Sequence, residues 1–103
     1  METMTTDERC PVEAVSEIIG RKWVSLIFRD LETGPKRFGE LEHSIKASPR
    51  ILSMRLQELE ADGLITRQVF AEVPPRTEYT LTERGQLLIP VVDAMRLAGK
   101  HFI

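Results

Sequence analysis

Apolar residues recur along this chain at two periods, and the switch between them locates its elements. Val12, Val15, Ile18 and Ile19 follow Pro11 at helical spacing up to Gly20, which predicts a first helix opened by the proline. Trp23, Val24, Leu26, Ile27, Phe28 and Leu31 make a second helical run, apolar nearly all round and therefore expected at the buried centre. Gly34-Pro35 stops it, as a left-handed cap followed by a residue that cannot continue a helix. Phe38, Leu41 and Ile45 mark a short third helix. Ser48 then supplies an N-cap and Pro49 a first helical residue for a fourth, in which Ile51, Leu52, Leu56 and Leu59 form one stripe that Gly63 ends. Beyond it the period shortens. Ile65 to Ala71 and Thr77 to Thr82 are rich in β-branched and aromatic residues, and Pro74-Pro75 confines the intervening Glu72 to Arg76 to a loop. A last helix capped by Thr82 carries Leu87, Leu88, Val91, Val92, Met95, Ala98 and Phe102 on one wide face, with Ile89, Asp93, Arg96 and Lys100 opposite. Pro90 falls inside that pattern and either kinks the helix or marks its true first turn.

The predicted order is α-α-(β)-α-α-β-β-α, the bracketed strand being Lys36-Arg37-Phe38 added beside the hairpin. Such a chain is mainly α with a small β-hairpin wing (α+β), a winged helix-turn-helix. Residues 1–10 read as a flexible N-terminal segment, 11–85 as a winged helix-turn-helix DNA-binding domain, and 86–103 as a C-terminal dimerisation helix packed with the first helix. A 103-residue chain buries only part of its surface when folded alone, yet this one is 42% hydrophobic. Some apolar surface is therefore expected to meet a second copy, with Val12, Val15, Leu88, Val91, Val92, Met95 and Phe102 as the candidates for dimerisation.

On the fourth helix Arg50, Ser53, Met54 and Gln57 lie opposite the apolar stripe, at 100° per residue. Arg50 sits in the first turn, where a guanidinium can pair bidentately with guanine O6 and N7 or clamp a phosphate; both mean contact with DNA. Ser48 and Pro49 stand at a helix start whose N–H groups suit a phosphate. Ser53 and Gln57 have polar ends for base edges, and Met54 an apolar one for a thymine methyl. Arg55, at the edge of the stripe, has the less clear role. Arg37 would contact phosphate from the start of the third helix. Arg76, after two prolines, is expected on a stiff tip aimed at the minor groove or flanking backbone, the alternative being a solvated arginine.

The net charge of −2 does not favour nucleic acid, although docking depends on where charges sit rather than on their sum. Glu58, Glu60 and Asp62 cluster late in the fourth helix, whereas Lys36, Arg37, Lys46, Arg50 and Arg76 fall at helix starts, turns and the hairpin tip. His43 and His101 show no ligand spacing with each other or with Cys10, so neither a metal nor another cofactor is expected. No Gly-rich phosphate loop, nucleophile elbow or acid–base pair suggests an enzyme. No apolar run approaches membrane-spanning length, and METMTTDERC has no signal-peptide pattern. The single cysteine fits a reducing cytoplasm. Cys10 itself has two readings, an inert thiol or a reactive one favoured by Arg9 and the following helix start.

With these residues in order, the chain resembles the HxlR-type regulators, a branch of the MarR-like winged-helix transcription factors. The resemblance runs through Cys10-Pro11-Val12, IGRKWVSLIFRDL (19–31), RFGEL (37–41), SPRILSMRLQELEADGLI (48–65), PPRTEYTLTERG (74–85) and Leu88-Ile89-Pro90-Val91-Val92. It implies a cytoplasmic homodimer on double-stranded operator DNA, paired through its terminal helices, with each fourth helix in a major groove. Two-fold pairing in turn predicts an inverted-repeat operator with half-sites about 10 bp or a multiple apart. In some members a cysteine at the position of Cys10 senses electrophiles or oxidants; a small-molecule effector between domain and dimerisation helices is the other route to regulation. Ala98 replaces a tryptophan common in the family and Thr77 an aliphatic residue. The rival expectation is a winged-helix protein–protein interaction module without DNA specificity.

Overall fold

The computed structural model describes residues 8–103. The elements are α1 (Pro11–Ile19), α2 (Val24–Leu31), β1 (Lys36–Arg37), α3 (Phe38–Ser44), α4 (Pro49–Ala61), β2 (Ile65–Phe70), β3 (Arg76–Leu81), α5 (Glu83–Gln86) and α6 (Ile89–Gly99). The three strands form an antiparallel sheet in the order β1-β3-β2, so Lys36-Arg37 does join the hairpin, opposite Tyr79 and Glu78. This is the winged helix-turn-helix expected from the sequence. Of the flexible segment expected at 1–10, residues 1–7 lie outside the described residues; Arg9 pairs with Glu17, and Cys10 N-caps α1, its backbone N–H donating to Glu13 Oε1 at 3.2 Å.

Hydrophobic burial organises the helices around α2. Val24, Ile27, Phe28 and Leu31 are fully buried, and Leu41 and Ile45 of the α3 region, Leu52, Leu56 and Leu59 of α4 and Leu64, Ile65, Tyr79 and Leu81 of the wing's foot close over them. Each such leucine stabilises the fold by about 2 kcal/mol through burial alone. Two expectations for this region change. Trp23 does not belong to α2: it is the N-cap, at φ 79°, and its carbonyl accepts from the N–H groups of both Leu26 and Ile27 at 3.1 Å. Nor is Gly34 a left-handed cap, because α2 closes at Glu32 and Gly34 lies at φ 134°, beyond the left-handed helical region.

The expected last helix is two helices. Thr82 caps only the four-residue α5, accepting from the Gly85 N–H at 3.1 Å, and a turn at Leu87-Leu88 precedes α6. Pro90 sits in the first turn of α6, where its missing N–H costs nothing. The break re-aims the apolar residues. Leu88 and Val92 turn inward onto the core, at 7% and 5% exposure, and Ile89, expected on the polar side, packs against it too. Arg96 then fastens α6 to α2, its guanidinium 3.0 Å from Glu32 Oε1 and 2.6 Å from Asp93 Oδ1. Those two hydrogen bonds, Glu32 first, hold its pKa above the ordinary arginine value.

Candidate nucleic-acid interface

α4 is built to present one face. Ser48 accepts from the Ile51 N–H at 3.2 Å, which satisfies a donor of the first turn, and Pro49 occupies a position with no donor to lose. At the other end Gly63 adopts φ 75°, a conformation any side chain would strain, and the chain reverses into β2. Between these limits Leu52, Leu56 and Leu59 are buried, while Arg50, Met54 and Gln57 are exposed and Ser53 is half-exposed beside them. Arg50 makes no side-chain hydrogen bond or ion pair with any described residue.

The C-terminal half of α4 is bolted to the rest of the domain. Arg21, from the α1–α2 turn, reaches Glu58 at 3.3 Å and Asp62 at 3.0 Å. Arg55 joins the same cluster: its Nε donates to the Lys22 carbonyl at 3.1 Å and its guanidinium lies 3.1 Å from Glu58. Glu58 and Asp62 therefore balance internal cations, and Arg55 already has partners within the chain instead of extending from it. The helix is held at its C-terminal half, while its first two turns carry the exposed Arg50 and Met54 opposite the buried Leu52 and Leu56.

Arg37 is exposed at the N-cap of α3 and borders a cleft with Phe38 and the wing tip, Glu72 to Thr77. Arg76 differs from its expectation as a tip residue. It is the first residue of β3, its guanidinium 4.0 Å from the centroid of the Phe70 ring, 2.9 Å from Glu72 Oε2 and 3.2 Å from Glu78 Oε2. Its Nε is close enough to Glu78 for charge attraction yet forms no hydrogen bond, so alignment is lacking there. Cross-strand pairing of Phe70 with Arg76 and of Gln68 with Glu78 puts this cluster on the sheet face turned away from the Tyr79 side. The extreme tip is left to Val73, Pro74 and Pro75, all exposed.

A second cleft, of about 380 Å³, separates α4 from the sheet and is lined by Phe38, Ser53, Gln57, Glu60, Arg67, Thr77 and Tyr79. Arg67, exposed and without an intrachain partner among the described residues, was not among the expected contact residues. Its signal was the alternation Ile65-Arg67-Val69, which puts it on the helix-facing side of β2 once the register with Leu81, Tyr79 and Thr77 is known. On α1, α6 and the residues after it, Val12, Met95 and Phe102 are 72%, 45% and 86% exposed, and Val15 and Val91 are half-buried. Leu87, expected on the same apolar face, is 75% exposed, and Leu97 and Ile103 add further apolar surface. Leu88 and Val92, expected at a dimer interface, belong to the core, because α2 lies against their side of α6. Cys10 is exposed and free, and the guanidinium of Arg9, expected beside the thiol, pairs with Glu17. Among the described residues no cluster could hold a metal and no helix is long and apolar enough to cross a membrane.

A capped helix with one buried and one exposed face, a hairpin beside it and a polar cleft between them define a winged helix-turn-helix module of the kind that binds DNA. Residues 18–103 match the model of the HxlR-like helix-turn-helix, and the chain belongs to that family of transcriptional regulators. An HTH-type transcriptional regulator of Methanothermobacter thermautotrophicus is 47% identical over 94 residues, which cover 90% of this chain and 72% of that one. Among solved structures, the redox regulator HypR in its oxidized form superposes with a TM-score of 0.81 at 42% identity, covering 89% of this chain and 96% of its own. A MarR-family regulator from Porphyromonas gingivalis W83 reaches a TM-score of 0.88 at 34% identity, over 98% of this chain and all (100%) of that one. The protein is thus a DNA-binding transcriptional regulator and not an enzyme.

Proposed function

We propose that this regulator works in the cytoplasm as a homodimer on an inverted-repeat operator, with α4 in the major groove and the β2–β3 wing on the adjoining backbone. One observation carries the reading: Arg50 stands exposed in the first turn of α4 with no partner among the described residues, in line with Met54 and Gln57, while Leu52, Leu56 and Leu59 on the opposite face are core. Ser48, Pro49, Arg50 and Arg37 then position the helix on phosphates, and Arg50, Ser53, Met54 and Gln57 read bases. Arg55 supports α4 from behind. Arg76 contributes by holding the wing rather than by entering a groove. Pairing of two copies is supported by the apolar surface of Val12, Val15, Val91, Met95 and Phe102, which includes an open apolar cleft of about 470 Å³ between α1 and Val91. The likeness to HypR, described as a redox regulator, and the exposure of Cys10 support a response to oxidants through that thiol.

Selection of bound duplexes from a random pool tests the proposal. The expected product is an imperfect palindrome with half-sites about 10 bp or a multiple apart, bound by the wild type and discriminated poorly by Arg50→Ala. A selected site without two-fold symmetry, or one bound equally well by Arg50→Ala, would refute it.

A further inference from the structure

The cleft between α4 and the wing has the chemistry of a phosphate site. The helix-facing line of β2 runs Ile65, Arg67, Val69, opposite Leu81, Tyr79 and Thr77. Ile65 and Leu81 are core, so Arg67 is the first residue of that line to leave it, and it emerges beside Ser53 and Gln57 of α4. Tyr79, directly across the ladder, is 7% exposed, and its hydroxyl has no partner among the described residues and is not sealed from solvent. A buried ring with an unspent donor at the mouth of a cleft is an arrangement that a ligand completes. Thr77 and Ser53 add two more hydroxyls.

Duplex geometry says which ligand. With α4 in the major groove and the wing against the adjoining backbone, the strand that borders that groove runs between the two elements, along the cleft that separates α4 from the sheet. Arg67 is its cation and Glu60 its acid. Arg76 cannot take the role, because it lies on the opposite face of the sheet against Glu72, Glu78 and Phe70.

We propose that Arg67 grips a phosphate of the DNA strand passing between α4 and the wing, with the Tyr79 hydroxyl donating to the same group. The inference rests on the groove-docking reading above, and the experiment separates the two. Binding of short random-sequence duplexes is followed across a salt series for wild type, Arg50→Ala, Arg67→Ala, Arg67→Lys, Tyr79→Phe and Glu60→Gln, with thermal melts to confirm that each variant is folded. Arg67→Ala is expected to weaken binding roughly tenfold at low salt, equally for all sequences, and to lower the log–log salt slope by about 0.9. Arg67→Lys keeps the slope, Tyr79→Phe weakens binding without changing it, and Glu60→Gln tightens binding. If wild type binds and Arg50→Ala weakens it while Arg67→Ala leaves affinity and slope unchanged, the phosphate assignment falls and groove docking stands. Unchanged affinity in Tyr79→Phe removes the tyrosine from the contact. If wild type binds no duplex, both readings fall.

Discussion

Replacing Gly85 by alanine tests the joint that sets the wing against α4. At that joint the Thr82 N–H donates to the Leu64 carbonyl at 3.0 Å, and the Thr82 hydroxyl donates to the Gly63 carbonyl at 2.7 Å while accepting from the Gly85 N–H at 3.1 Å. The end of α4, the start of β2 and the end of β3 thus meet at Thr82, and Gly85 is buried against them. In a helix with open space, glycine to alanine stabilises by about 0.4–1 kcal/mol, because the unfolded chain loses freedom. Here the added methyl would fall within 3.0 Å of the Leu64 carbonyl oxygen and 3.1 Å from Leu81 Cδ2. Overpacking of this kind costs about 1–3 kcal/mol, and moving the Leu64 carbonyl forfeits about 1 kcal/mol more from its bond to Thr82. Close packing therefore outweighs propensity, and the expected net loss is about 1–3.5 kcal/mol from a total of about 5–15. Urea denaturation at fixed protein concentration should show a lower midpoint with an unchanged slope. DNA affinity should fall even where the variant is fully folded, since the wing's foot has moved. A midpoint that stays put or rises would show that the joint is not close-packed and that the reasoning is wrong.

Three further outcomes are expected. Ser48→Ala should cost about 1 kcal/mol in chemical denaturation by uncapping α4, whereas an unchanged midpoint would mean that water replaces the cap freely. Wild type should be a dimer in light scattering if the proposed pairing holds, and Val12→Glu, which sets a charge and its two-fold mate within the exposed apolar surface, a monomer; a dimer that persists in the variant would place the interface elsewhere. Cys10→Ser should bind DNA as tightly as wild type and lose the change in affinity on treatment with oxidant. If the variant still responds, that thiol is not the sensor.

What could be read from the sequence was whatever is decided within a few residues. The limits of α4 follow from Ser48, Pro49 and Gly63, whose effects on hydrogen bonding and backbone angle are local, and the structure places them as expected. The hairpin was equally legible, since Pro74-Pro75 excludes a ladder and β-branched residues flank it. What failed depended on a neighbour. Periodicity puts Leu88, Val91 and Val92 on one face but cannot say that α2 claims Leu88 and Val92, leaving Val91 half-buried. Trp23 reads as helical by periodicity, yet its φ of 79° leaves it outside α2, as the N-cap whose carbonyl accepts the first N–H groups of the helix. Arg67 stayed hidden because a lone arginine in a strand acquires a facing only from the register of its partner.

The same dependence on partners resolves the awkward net charge. Arg21, Arg29, Arg55, Arg76 and Arg96 each lie within ion-pair distance of a carboxylate of the same chain, and Arg9 pairs with Glu17. These cations balance acids such as Glu58, Asp62, Glu72 and Glu32 where the elements join, and they project little field outward. Arg37, Arg50 and Arg67 have no such partner among the described residues. Arg50 and Gln57 share the exposed side of α4, Gln57 and Arg67 share one cleft, and Phe38 and Thr77 link that cleft to the one Arg37 borders. An overall charge of −2 is therefore compatible with a positive side at the α4–wing face, because the acids are spent on internal arginines elsewhere. Glu60 lines the α4–wing cleft, and Glu40 the one that Arg37 borders. In the proposed docking their repulsion would weaken binding to every sequence alike, leaving discrimination to contacts with the bases.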